Sequence, residues 1–151
     1  MAKTGIILGA GLDLSDSVKS AREHFITTPY GNPSARVLSG KIGDKEVVVL
    51  KRHGEKDAIP SFRVNNKANL FTLHDMGCSH VLASSLCGSL QEEIMVGELV
   101  VFDQFIDLTK HREMTYSDKV ELKDLNHSAF NKPFSDEIRD ALVECSVVKG
   151  Y

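Results

Sequence analysis

No run of this sequence is apolar for long enough to cross a bilayer; stretches such as Val47 to Leu50 are strand-sized. Nor is a signal peptide expected, because Met1 to Thr4 leads straight into the short apolar segment Gly5 to Leu8, with no cleavage site after it. Cysteine is scarce. Cys78, Cys87 and Cys145 are odd in number and lack metal-ligand spacing, which argues against a structural zinc site and for reduced thiols in a cytoplasmic protein. Cys87 is expected to be a buried small apolar thiol, since nothing near it in sequence marks a lowered pKa. Charge of one sign is also missing: 18 Lys and Arg against 21 Asp and Glu give a formal −3, and the basic residues are scattered. Neither nucleic acid nor an anionic membrane is therefore an expected partner. Repeats, low-complexity tracts and linkers are absent as well.

What remains is an ordinary globular composition, 42% hydrophobic and 26% charged over 151 residues. A chain of that size buries roughly 70% of the surface it exposes when unfolded. Strands and helices alternate along it. Gly5 to Leu8 reads as a buried strand and Glu23 to Thr28 as a second, ending in the turn-rich Pro29-Tyr30-Gly31-Asn32-Pro33. Ala35 to Ile42, Gly43-Asp44 and Lys45 to Lys51 form a hairpin pattern. Val64 to Met76 predicts a helix ended by Gly77. Further strands are expected over Val81 to Ser85 and Glu98 to Phe105, with Asp107 to His127 irregular. Ser135 to Val148 predicts a closing helix, N-capped by Ser135 and with Ile138, Leu142 and Cys145 or Ser146 on one face. The pattern is α/β: a mixed central sheet with flanking helices. Val147 to Tyr151 reads as a helix exit, where such a chain would be expected to turn into another strand.

Three places could carry chemistry. Gly9-Ala10-Gly11-Leu12 follows a strand, and a turn of this kind leaves backbone N–H groups free for a phosphate. A dinucleotide fingerprint is one alternative, but Leu14 stands where its third glycine belongs and no acid ends the next strand. A tight turn without a ligand is another. Lys51-Arg52-His53-Gly54 lies just beyond an apolar strand, where the planar donor fork of Arg52 beside His53 suits an oxyanion, or where a basic turn is simply solvated. Ser84-Ser85-Leu86-Cys87-Gly88-Ser89 again puts hydroxyls and amides at a strand end. Glu92 and Glu93 read as solvated carboxylates rather than an acid/base pair.

The order of these motifs resembles the methylthioadenosine phosphorylase branch of the trimeric purine nucleoside phosphorylases. The segments that carry it begin with Gly5 to Leu12 and Thr28 to Ser34, followed by Arg52-His53-Gly54, Val64-Asn65 with Ala68-Asn69, and Cys87 to Leu90. Gly97 to Val100 and Asp103 to Asp107 complete the set. The resemblance implies that the chain is the N-terminal portion of one nucleoside phosphorylase domain. It also implies phosphate contacts from Ala10, Arg52, His53, Ser85 and Leu86, with Ser84 close by, and a substrate contact from His127 into a neighbouring subunit of a homotrimer. The implied reaction is phosphorolysis of a purine nucleoside, with inorganic phosphate as co-substrate and neither a further cofactor nor a metal. Ala10, Asp57 and Asn66 depart from the family, which usually has Thr or Ser, His and Tyr there. Ala10 removes a hydroxyl, and an acid at Asp57 would repel the anion. The family reads its purine from a C-terminal half of comparable size that these residues do not include, so the isolated chain is expected to lack appreciable activity. A non-catalytic relative that keeps an oligomerising surface and an anion site is the alternative.

Overall fold

The computed structural model describes residues 3–113, 115–117, 121, 123 and 129–149. Contacts divide the chain into two units, Met1–Cys87 and Gly88–Tyr151.

The first unit is built on a five-stranded sheet: β1 (Lys3–Leu8), β2 (Lys19–His24), β3 (Val37–Ile42), β4 (Lys45–Lys51) and β5 (Cys78–Ala83), with one α-helix among the described residues, α1 (Asn66–Asp75). Its order is β2-β3-β4-β1-β5. β1 runs parallel to both β4 and β5, whereas β2-β3 and β3-β4 are antiparallel, so the expected mixed sheet is present. The β3-β4 hairpin pairs Ile42 with Lys45 across Gly43-Asp44, where Gly43 takes a φ of 61°.

The sheet is buried on both faces at its centre, and the two-residue period of the strands sorts the apolar side chains. Ile7, Val37, Val48 and Leu50 gather on one face with Leu73 of α1, while Leu8, Val47 and Val49 gather on the other with Val18. That sorting explains the continuous Val47 to Leu50 run: a strand covered on both sides has no polar face to show. α1 seats on β1 through Leu73. A Cβ on Gly5 would meet Leu73 Cδ1 at 2.9 Å, so the close approach depends on a bare backbone there.

α1 starts where Asn65 accepts the N–H of Ala68 on its side-chain oxygen (3.0 Å), and Gly77, at φ 80°, follows its end as expected. The same Asn65 donates to the Tyr30 carbonyl (2.7 Å). One turn on, the buried Asn69 accepts the Ser34 N–H (2.8 Å) and donates to Ser34 Oγ (2.9 Å). Two motifs distant in sequence are thereby joined, the Thr28 to Ser34 turn being held on the first turns of α1.

Three expectations need correcting. The second strand is Lys19–His24, not Glu23 to Thr28. It is an edge strand with most side chains exposed, so no apolar alternation marks it, and Thr28 instead closes a tight turn with Gly31. β5 ends at Ala83, which leaves Ser84 and Ser85 outside the strand. Glu98 to Phe105 forms no strand. Leu99, Val100, Phe102 and Phe105 lie exposed, and a strand requires a neighbouring backbone that no described residue supplies to this run. The run starts instead in a turn in which Glu98 N–H donates to the Met95 carbonyl and the Glu98 carboxylate accepts the Met95 N–H.

In the second unit, α2 (Asp136–Lys149) begins after Ser135, whose Oγ accepts the Ile138 N–H at 3.4 Å. Lys132 pairs with Asp136 at 2.8 Å beside that first turn. Ile138 and Ser146 are half-buried, and Leu142 and Cys145 are exposed. Among the described residues, no helix is long and apolar enough to cross a membrane.

Candidate anion site

Because β1, β4 and β5 are parallel, their carboxyl ends open on one edge of the sheet. The ladder continues one residue beyond each flanking strand. Arg52 N–H donates to the Leu8 carbonyl (2.9 Å) and Ser84 N–H donates to the Ile7 carbonyl (3.0 Å). The glycine turn, the Arg-His pair and the serines are therefore adjacent, as the sequence motifs predict for a ligand edge.

Gly9 sits between the other two. Its N–H donates to Ser84 Oγ (2.9 Å), and a Cβ there would lie 2.6 Å from the Ser84 carbonyl oxygen and 3.1 Å from Arg52 Nη2. Arg52 Nη2 donates to Ser85 Oγ (3.2 Å). Its Nε donates to His53 Nε2 (3.2 Å), and His53 Nδ1 lies 2.8 Å from the Ile59 carbonyl oxygen. His53 is buried, whereas Ser84 is half-buried and Ser85 and Leu86 are exposed. Leu86 approaches the turn from the side, its Cδ1 being 3.9 Å from where a Cβ on Gly11 would stand. Ala10 follows Gly9 directly but brings no hydroxyl.

The charges at this edge are unevenly balanced. Lys51 is bound to Asp13 at 2.8 Å. That contact, helped by Ser15, holds the Asp13 carboxyl well below the usual carboxylate range, and Asp13 in turn pushes the Lys51 ammonium up. Arg52 makes no ion pair with a described residue, so its charge is available to an anion. Asp57 sits on the Gly54 to Ile59 loop at a φ of 50°, a conformation that favours glycine, and together with Glu55 it adds negative field at Lys51. A cavity of about 60 Å³ lies beside the edge, lined by Glu23, Arg36, Lys51 and Glu55 among others, and does not include Arg52, Ser84 or Ser85.

The structure thus gathers Ala10, Arg52, His53, Ser84, Ser85 and Leu86, while His127 lies outside the described residues. Cys87 is exposed, not buried, because β5 has ended and the chain has left the sheet before it. The thiol that packs against the core is the half-buried Cys78, whose pKa is raised by burial. Ile59 is the contributor that the sequence did not mark. Among the described residues, no group of three or more His, Cys, Asp or Glu side chains is placed to share a metal ion.

A guanidinium, two serine hydroxyls and a glycine turn thus share the carboxyl edge of an α/β sheet. The chain belongs to the phosphorylase superfamily, whose family model matches residues 3–150. It is 40% identical over 146 residues to S-methyl-5'-thioadenosine phosphorylase of Drosophila pseudoobscura pseudoobscura, covering 95% of this chain and 50% of that protein. Ligand-free methylthioadenosine phosphorylase from Schistosoma mansoni superposes with a TM-score of 0.91 at 40% identity, over 99% of this chain and 54% of that one. A mutant of the adenosine/methylthioadenosine phosphorylase from the same organism, in complex with methylthioadenosine, superposes equally well, at 0.91, 40% identity and the same 99% of this chain, with 54% of its own length covered. The chain spans about half the length of the relatives it matches.

Proposed function

We propose that this chain carries the phosphate-binding portion of a purine nucleoside phosphorylase domain whose substrate is 5'-methylthioadenosine or a close analogue. The observation that carries the reading is the placement of Arg52 against Ser85 and the bare backbone of Gly9, at the carboxyl edge of three parallel strands. The names of the relatives and the methylthioadenosine held by one of them support the choice of substrate.

In the proposed reaction a phosphate oxygen attacks the anomeric carbon as the N-glycosidic bond breaks. The bonding pair leaves with the purine, which takes up a proton, and the sugar becomes a 1-phosphate. Arg52 supplies the fixed positive charge that holds the nucleophile in line, and the Ser84 and Ser85 hydroxyls with the turn amides complete its shell. Orientation is the main demand, since no covalent intermediate on the protein is required. Inorganic phosphate is the co-substrate and no further cofactor is invoked. We place the protein in the cytoplasm as a homotrimer, with His127 reaching a neighbouring subunit's nucleoside.

A second reading, a non-catalytic relative that keeps the anion site, is favoured by two residues. Ala10 lacks a hydroxyl, and Asp57 adds negative charge near the edge. Two measurements test both. Titration of the 151-residue chain with inorganic phosphate should show weak binding that Arg52→Ala lowers by about tenfold or more, the loss of a charge-assisted contact; unchanged affinity in that variant would reject the site. Incubation of the chain with methylthioadenosine and phosphate should release no adenine at an enzyme-like rate, and such release would reject the expectation that these residues alone are inactive.

A further inference from the structure

The geometry points to His53 serving the anion through Arg52 instead of donating to it: the neutral imidazole is an acceptor that aims the guanidinium. This rests on the anion-site reading above and concerns how that site is built. Both ring nitrogens are already committed. The Ile59 carbonyl oxygen, 2.8 Å from Nδ1, can only accept, so Nδ1 carries a proton. Arg52 Nε–H, 3.2 Å from Nε2, can only donate, so Nε2 presents its lone pair. Together these partners specify one state, the neutral Nδ1–H tautomer. A ring in that state has no N–H left to offer phosphate.

The imidazole is itself held in place. Ile59 N–H donates to the His53 carbonyl (2.9 Å), and His53 Nδ1–H donates back to the Ile59 carbonyl. This reciprocal pair closes the Gly54 to Ile59 loop, and His53 is only 9% exposed. Arg52 is then gripped at two points, Nε by the imidazole and Nη2 by Ser85 Oγ, while its other side-chain N–H groups have no partner among the described residues. An arginine side chain left to itself samples many rotamers; one clamped at Nε before the ligand arrives loses less entropy when it binds. His53 is thus a positioning residue, and Ile59, a backbone contributor, is part of the same device.

Nitrogen-15 spectra of the imidazole in the ligand-free chain read the tautomer directly, and inorganic phosphate titrations read the consequence. The expected result is the Nδ1–H form. His53→Gln keeps an acceptor near the ε position and should hold phosphate affinity within about threefold of the parent, less than the cost of one charge-assisted hydrogen bond. His53→Asn keeps an amide donor for the Ile59 carbonyl at the δ position but is too short to place an acceptor at Arg52 Nε, and should lose about tenfold, approaching Arg52→Ala. An Nε2–H ring in the free chain overturns the inference, as does a His53→Gln variant that folds and binds as poorly as His53→Asn. The spectrum of the parent chain decides without any variant having to fold. If that chain fails to bind phosphate, the proposed function falls, while the tautomer still decides the role of His53.

Discussion

At Gly9 the backbone passes nearer to its neighbours than any side chain would allow. The obstacle is a carbonyl oxygen, that of Ser84, which cannot swing aside as a side-chain tip could. Gly9→Ala should therefore push the β1 and β5 ends apart, costing about 1–3 kcal/mol in urea denaturation and phosphate affinity with it; a variant of unchanged stability would contradict the contact. The Asp13–Lys51 pair makes a different prediction. The Asp13 pKa is depressed, so its contribution is present above the ordinary 3.8 and is lost as pH falls through the lower folded value. The Lys51 pKa is raised, so its contribution is present below the ordinary 10.5 and is lost as pH rises through the higher folded value. The stability gap between the parent chain and Asp13→Asn should accordingly be widest between those limits and should close in strong acid. A gap that persists unchanged at the acid end would count against the pair. Solvent exposure of Asp13 keeps the effect small.

At the scale of elements, the contacts between α1 and the Tyr30 to Ser34 turn are the most testable. Asn69→Ala would leave both the N–H and the hydroxyl of half-buried Ser34 without their partner, and should cost about 2 kcal/mol of unfolding free energy in urea; a loss within error of zero would show that water replaces the contact freely. Elements of this kind also mark where the sequence is readable. The hairpin can be read because Gly43-Asp44 separates two apolar runs, and α1 because Gly77 closes its apolar spacing. The positions of the motifs at the carboxyl edge are legible, since each follows a strand and the strands prove parallel. β2 escapes because an edge strand with exposed faces leaves no periodic trace in Lys19 to His24. Glu98 to Phe105 misleads in the opposite way: its apolar, β-prone residues state a preference that needs a partner strand, which local sequence cannot show. The role of Ile59 is invisible because it acts through its backbone, on which residue identity has little bearing.

At the scale of the molecule, the sheet has two different edges. β2 bears charged side chains, whereas β5 alternates half-buried and exposed residues, and among the described residues it has a neighbour, β1, on one side alone. An unpaired, weakly charged strand edge is a template for association. The chain should therefore show concentration-dependent association in sedimentation experiments, and Val81→Lys, placing charge on that edge, should reduce it. Association insensitive to that change would locate the sticky surface elsewhere.

β4 runs through the middle of the sheet with Val48 and Leu50 fully buried, and Arg52 follows directly from it. Amide protons in such a strand reach solvent only when most of the unit opens, so their exchange is slow and governed by global unfolding. The Arg52 amide, bonded to the Leu8 carbonyl, lies on the margin of that slow zone. The Arg52 guanidinium is thus carried on backbone at the border of the slowest-opening strands, while Ser85 and Leu86 stand exposed on chain beyond the end of β5.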